Sequence, residues 1–210
     1  WSICLSVSRT FSFIFKLLST RSFTADDELS LAKDLTVVPK TFEATVKINS
    51  DVKTPGIIFG NYSSADGAML NFEIAYGGKP RLYMRDENGN LFDITFSTDI
   101  RTGEFVHVAI THKVLSSGSS EFSLYVNETL KETKTNAMSC EIDPVLLQRE
   151  VTLMLARDSR WRNEQYFKGN IKNLALYSKA LSSNEITSAF QSGLNANISG
   201  RMAYYDLTLK

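Results

Sequence analysis

From Phe23 onward, apolar and polar residues alternate along the chain with a period of two. In the clearest segment, Phe42, Ala44, Val46 and Ile48 are each separated by a more polar or charged neighbour. Alternation of this kind is typical of a β-strand with one buried face and one solvated face. The same pattern predicts further strands over residues 70–76, 92–96, 106–110, 122–126, 151–155, 171–177 and 202–209.

Turn signals separate these segments. Asp66-Gly67, Gly77-Gly78, Asn88-Gly89 and Ser117-Gly118 fall between apolar runs, where tight turns need residues that tolerate positive φ. Strands joined by short turns form antiparallel sheets, and sheets with one apolar face must pack against each other. We therefore expect an all-β fold, a two-sheet antiparallel β-sandwich of the jelly-roll kind.

Two local features add detail. The apolar parity slips between Ile171 and Leu174, which predicts a β-bulge in that strand. Ser182 and Glu185 have capping-box spacing, with Leu181 and Ile186 placed as a hydrophobic staple around them. We expect one short helix here, near the C-terminus, closed by Gly193 in a left-handed conformation.

Composition restricts the class of partner. The chain has 210 residues, 43% of them hydrophobic, which suits one sandwich domain. Its 23 basic and 23 acidic residues form no basic stripe, so neither nucleic acid nor membrane insertion is expected. Cys4 and Cys140 cannot make a disulfide framework and match no zinc spacing.

Residues 1–22 differ in character from the rest of the chain. Arg9 and Lys16 bracket only six residues there, too few for the apolar core of a signal peptide. We interpret the segment as a damaged export signal, a linker or flanking sequence, and we place the domain at residues 23–210. Because the first residue is Trp, we expect a fragment of a larger protein.

Several segments together resemble the laminin-G-like, concanavalin A-like jelly-roll domains. Residues 166–177 carry an aromatic-x-Gly-x-Ile strand ending in Tyr, and Ala180-Leu181-Ser182 leads into the Glu-Ile of the predicted helix. Residues 102–109 are similar to the family's Gly-x-Trp-x-His-Val-Ala strand, with Phe105 replacing Trp. Residues 124–127 and 203–207 match two further family strands. The resemblance implies a binding module of a large secreted bacterial protein, beside glycoside hydrolase, metallophosphoesterase or adhesive regions.

Catalysis has weaker support. Glucanases of this superfamily place several carboxylates along one strand, and Glu141-Ile142-Asp143 begins such a pattern. Pro144 follows, however, and the second glutamate is missing. His107 and His112 are five residues apart, so in one strand they point to opposite faces and cannot share a metal.

Two loops are candidates for a calcium site at the rim of the sandwich. The resemblance to pentraxin-like relatives implies Ca²⁺ ligands at Asp158, Glu164 and Gln165, with Asp66 opposite. The arginines at positions 157, 160 and 162 oppose this assignment, because they would repel a dication. In the alternative interpretation Asp158 pairs with one of them.

The same loops offer a carbohydrate site. Trp161, Tyr166 and Tyr62 could stack on a sugar ring. Asp158, Arg160 and Asn163 could hydrogen-bond sugar hydroxyls. Alternatively, Trp161 folds back and anchors its own loop.

The leading hypothesis is a non-catalytic module that binds carbohydrate or a cell-surface component. Its expected partners are a glycan or surface polysaccharide and the neighbouring domains of a larger chain, secreted or on the cell surface. One alternative is a structural spacer or protein–protein interaction domain attached to a secreted hydrolase or metallophosphoesterase. Another is a glucanase-like glycoside hydrolase.

Overall fold

The structure, a computed structural model, describes residues 21–23, 29–30, 37–61, 69–86, 88–142, 154–155, 167–193 and 197–207. In this part of the chain it contains thirteen strands and one helix, α1 (Ser183–Gln191). The strands are β1 (Arg21–Phe23), β2 (Leu29–Ser30), β3 (Thr41–Lys47), β4 (Gly56–Asn61), β5 (Met69–Ala75), β6 (Lys79–Arg85), β7 (Leu91–Thr95), β8 (Phe105–Val114), β9 (Ser120–Val126), β10 (Thr129–Asn136), β11 (Met154–Leu155), β12 (Gly169–Tyr177) and β13 (Arg201–Asp206).

The strands form two antiparallel sheets. The first sheet has seven strands in the order β1-β12-β3-β8-β9-β10, and β13 also pairs with β12. The second has six strands in the order β2-β11-β4-β5-β6-β7. The predicted all-β sandwich is therefore confirmed, and β1 pairs with β12 from Arg21 onward.

The core fills the space between the sheets with the inward residues of the alternating strands. Phe42 of the first sheet lies with its ring centroid 6.4 Å from that of Phe59 and 5.9 Å from that of Phe72 in the second. All three side chains are buried completely. Each contributes about 2–3 kcal/mol by its removal from water.

Tight turns fix the register of the strands that carry polar residues outward. Gly77 and Gly78 have φ of 77° and 72°, values that a glycine adopts without strain, and they join β5 to β6. This three-residue loop, residues 76–78, places Glu73 opposite Arg81. Asn88-Gly89 likewise turns between β6 and β7, where Asp86 Oδ1 accepts hydrogen bonds from the backbone N–H groups of Asn88 and Asn90.

The other local predictions are also confirmed. The pairing of β12 with β3 shifts register between Ile171 and Asn173, which is the predicted bulge. At α1, the Ser182 side chain accepts from the Glu185 N–H, and the Glu185 carboxylate accepts from the Ser182 N–H. Leu181 and Ile186 are both buried, and Gly193 has φ of 65°.

Helix α1 determines which sheet face is left for other contacts. Its Ile186 and Ala189 pack against Ala109, Ala175 and Tyr177 on the outer face of the first sheet. That face is therefore covered in this region. The outer face of the second sheet instead carries charged and polar side chains.

Candidate functional site

Three charged residues come together on the outer face of the second sheet. Glu73 lies on β5, Arg81 on β6 and Asp93 on β7. Their neighbours Phe72, Leu82 and Ile94 point into the core. Because successive side chains of a strand alternate between faces, the three charged groups point outward together.

Arg81 is the centre of this cluster. Its Nη1 donates to Glu73 Oε1 at 2.8 Å, while Nε and Nη2 donate to the two carboxylate oxygens of Asp93 at 2.9 Å and 2.6 Å. The guanidinium carbon lies 4.2 Å from the centroid of the Tyr83 ring. Thr95 adds a hydrogen bond from its hydroxyl to Asp93 Oδ1 at 2.7 Å. Contacts with Glu73, Asp93 and the Tyr83 ring therefore hold the guanidinium in one orientation.

The electrostatics of the cluster keep Asp93 and Arg81 ionised. Partial burial disfavours the charged forms, but the Arg81 hydrogen bonds and charge outweigh this and lower the pKa of Asp93. In the same way, hydrogen bonds and charges from Asp93 and Glu73 outweigh burial and raise the pKa of Arg81. Arg81 consequently stays a fixed cationic donor, with three of its five N–H groups used within the cluster.

A cavity of about 240 Å³ adjoins this cluster. The side chain of Tyr76, which precedes the Gly77-Gly78 turn, is 71% exposed and forms part of its lining. The lining residues are Thr54, Gly56, Glu73, Ile74, Ala75, Tyr76 and Arg81. An exposed aromatic ring beside oriented polar groups suits a small ligand with both hydroxyl groups and apolar C–H surface.

The described residues hold no metal-binding cluster and no helix suited to crossing a membrane. No group of three or more His, Cys, Asp or Glu side chains is arranged there to hold a metal ion. Nor does any helix in that part of the chain combine the length and apolar character that crossing a bilayer requires.

The site residues predicted from sequence all fall outside the described residues. This holds for the proposed calcium ligands and for the proposed sugar contacts: Tyr62, Asp66, Asp158, Arg160, Trp161, Asn163, Glu164, Gln165 and Tyr166. Both rim-loop predictions therefore stay predictions.

The two histidines do point to opposite faces, as predicted. His107 lies under α1 with its ring centroid 5.3 Å from that of Phe190. His112 instead stacks on Phe122 in the core, at a centroid distance of 4.5 Å. In the segment considered for glucanase chemistry, Glu141 pairs with Lys40 at 3.5 Å, and Asp143 lies outside the described residues.

The Glu73–Arg81–Asp93 cluster was not predicted from sequence, although a signal was present. The Gly77-Gly78 turn fixes a register in which Glu73 faces Arg81 across a hairpin with a three-residue loop. The Asn88-Gly89 turn then brings Asp93 diagonally next to Arg81. The outward-facing polar positions of β5, β6 and β7, placed in the register that these turns set, bring the three charged residues side by side.

Comparison with solved structures shows the same fold in carbohydrate-related proteins. A Bacteroides ovatus protein assigned as carbohydrate-binding has a TM-score of 0.62 at 16% identity, over 90% of this chain and 51% of that one. This chain therefore spans about half of its length. The CBM40 module of the Ruminococcus gnavus IT-sialidase also has a TM-score of 0.62, at 15% identity, over 82% of this chain and 96% of that one.

A third similar structure is domain 4 of AbnA, a GH43 extracellular arabinanase from Geobacillus stearothermophilus, in complex with arabinotriose. Its TM-score is 0.58 at 18% identity, over 80% of this chain and 75% of that one. None of the curated proteins matches the chain. The family model Laminin_G_3, described as concanavalin A-like lectin/glucanases superfamily, matches residues 23–187, which is well over half of the sequence. The chain therefore belongs to the concanavalin A-like lectin/glucanases superfamily.

Proposed function

We propose that this chain is a non-catalytic carbohydrate-binding module whose glycan binds on the outer face of the second sheet. The observation that carries the proposal is the exposed Tyr76 ring beside a cavity walled by the oriented Arg81 side chain. The shared fold with a CBM40 module and an arabinanase domain supports it.

The chemistry of the cavity suits a sugar. The Tyr76 ring offers an apolar face for the C–H groups of a sugar ring. Arg81 has two N–H groups that are not used in its bonds to Glu73 and Asp93, and these can donate to sugar hydroxyls. The exposed Thr54 lies in the same lining and adds a hydroxyl that can donate or accept.

The same geometry argues against hydrolysis at this site. A glycosidase needs one protonated carboxylic acid and one ionised carboxylate on either side of the scissile bond. Here Asp93 binds the Arg81 guanidinium with both oxygens, and its pKa is lowered despite partial burial. It therefore cannot supply a proton near neutral pH. Glu73 shares the same arginine, so the two carboxylates are tied to one cation.

We extend the proposal to the setting of the module. The family resemblance of the sequence supports a place in a larger secreted or cell-surface protein, where the module would hold its neighbours near a glycan. A Ca²⁺ ion in the rim loops, with Asp158 as a ligand, is a separate proposal that the same experiment can test.

The test is a glycan-array screen of the full chain, run with millimolar calcium and again with a chelator. We expect binding that Tyr76→Ala weakens by about tenfold or more and Tyr76→Phe retains, since phenylalanine keeps the ring. Trp161→Ala and Asp158→Ala serve as matched variants for the rim loops. If these abolish binding in a calcium-dependent way while Tyr76→Ala leaves it unchanged, the glycan binds at the rim and the proposed location is wrong.

A further inference from the structure

We infer that the Tyr76–Arg81 cavity accepts one uncharged sugar residue and discriminates against acidic sugars. This inference rests on the proposed function and adds the substrate class of the same site. It depends on two observations: the pairing of the cationic group in the cavity wall, and the size and fixation of the cavity.

The charge of Arg81 is already compensated. Among the described residues that line the cavity, Arg81 is the one cation, and Asp93 binds it with both carboxylate oxygens. Glu73 binds a third N–H of the same guanidinium. The carboxylate of an acidic sugar would have to displace Asp93 or lie close to Glu73 without a cation of its own. Either outcome carries a desolvation or repulsion cost that a hydroxyl group does not.

Other cations near the turn do not change this balance. The Arg101 guanidinium is bonded to Asp99 through Nε at 2.9 Å and Nη2 at 2.6 Å, and to the Val52 carbonyl at 3.1 Å. Lys53 and Lys79 are exposed. Attraction between an exposed ammonium group and a ligand in solvent is weak and is screened by salt.

The cavity has room for about one ring. At about 240 Å³ it lies below the range of about 300–1,000 Å³ that is usual for drug-sized ligands. A longer glycan would therefore contact it through a single residue.

The Gly77-Gly78 turn, which directly follows Tyr76, is fixed by hydrogen bonds to neighbouring segments. Gly77 N–H donates to the Lys53 carbonyl at 2.9 Å, and the Gly78 carbonyl accepts from Ile100 N–H at 3.0 Å. A Cβ atom on Gly78 would overlap Asp99 and Arg101, so the turn lies directly on that segment. These contacts hold this wall in place, so the site is preformed for a small ligand.

The experiment compares matched sugar pairs that differ only in a carboxylate. The full chain is titrated with glucose and glucuronic acid, and with galactose and galacturonic acid, at low and at physiological salt. We expect the preferred neutral sugar to bind at least about tenfold more tightly than its acid partner. Its trisaccharide should bind within about threefold of the monosaccharide, since only one residue contacts the cavity.

A gain of binding tests the charge argument directly. Asp93→Asn removes one of the carboxylates that compensate the charge of Arg81. The acidic sugar should therefore bind at least about fivefold more tightly to this variant than to the wild type, while the affinity for the neutral sugar changes little. The Asp93 side chain is about half exposed, at 49% accessibility, so the variant is expected to fold. Glu141→Gln is the control, because it removes the carboxylate of another exposed ion pair, that with Lys40, which does not line the cavity.

The outcomes separate the two levels of the claim. Equal or tighter binding of the acid by the wild type would overturn this inference and leave the proposed function standing. A steady gain in affinity with glycan length would overturn the single-residue part. If neither member of any pair binds and the array shows no Tyr76-dependent hit, the proposed function fails and this inference fails with it.

Discussion

Glu43 Oε1 and His107 Nε2 lie 3.7 Å apart beneath α1, and both side chains are shielded from solvent. Glu43 belongs to β3 and His107 to β8, so the pair links two central strands of the first sheet. Burial and the charge of Glu43 also raise the pKa of the neighbouring Tyr177. Glu43, His107 and Tyr177 therefore form one polar cluster beneath α1.

We predict that His107→Phe lowers the free energy of unfolding by about 1–3 kcal/mol, because the buried polar side chain of Glu43 then loses a polar neighbour. Phenylalanine preserves an aromatic ring next to Phe190, so the loss of packing is small. Urea unfolding measures the change. Adding Glu43→Gln in the same background should recover part of the loss, since a neutral amide costs less to bury. A change below about 1 kcal/mol in the single variant would contradict this account.

A second prediction concerns acid stability. Burial, with a smaller effect of Lys40, lowers the pKa of His112 from 6.5 to about 3. The folded state therefore keeps this imidazole neutral, while the unfolded chain takes up a proton as the pH falls below 6.5. The stability contributed by the neutral group is complete above that pH and decreases below it, by at most about 1.4 kcal/mol per pH unit.

The measurement is the free energy of unfolding between pH 6.5 and 5.5, at least one unit above the ordinary glutamate pKa of 4.5. His112→Gln should flatten this part of the profile, since glutamine does not titrate. Ser120, which lies 3.0 Å from His112 Nε2, can still bond to the amide. An unchanged slope in the variant would show that another group is responsible.

A third prediction concerns the reactivity of Cys140. The residue is 1% exposed, and burial raises the pKa of its thiol to about 11. Because the thiolate is the reactive species, the folded protein should react with a thiol reagent at pH 8 far more slowly than the unfolded chain. A Cys4→Ser variant isolates this thiol. Reaction of the folded variant at the rate of an exposed cysteine would disprove the burial of Cys140.

The fourth prediction concerns the edge where β7 and β10 meet. Glu132 accepts hydrogen bonds from the Ser97 N–H at 2.7 Å and from its hydroxyl at 2.8 Å, and Lys134 donates to the Thr95 carbonyl at 2.7 Å. These bonds join the two sheets along one side. Glu132→Ala should lower the free energy of unfolding by about 1 kcal/mol, measured by urea denaturation.

Lys131→Ala is its control, because Lys131 is exposed on the same strand. It should change stability by less than about 0.5 kcal/mol. Equal effects of the two substitutions would mean that the Glu132 bonds do not stabilise the edge.

The fold could be predicted where one face of a strand is buried and the other is exposed to solvent. Alternation identified β3, β5 and β8, and the capping residues of α1 identified the helix. Strand β4 was missed, because its Ile57, Ile58 and Phe59 are all buried and do not alternate. The edge strand β10 was missed for the opposite reason: it is polar except for the exposed Leu130 and is recognised by its pairing with β9.

The candidate site was harder to predict than the fold. Arg81 is separated from Glu73 by 8 positions and from Asp93 by 12, and the three meet through the register of two hairpins. The recognisable sequence motifs lie instead in the rim loops around Trp161 and Asp158. The register of adjacent hairpins carries information about polar clusters that motif searches do not use.

The most direct test of the central claim is the affinity of the best array glycan for the wild type, Tyr76→Ala and Tyr76→Phe, measured by calorimetry. If the glycan stacks on Tyr76, the alanine variant should lose about tenfold or more in affinity, and the phenylalanine variant should stay within about threefold of the wild type. Equal affinity of all three proteins would show that the glycan does not bind at this face of the second sheet.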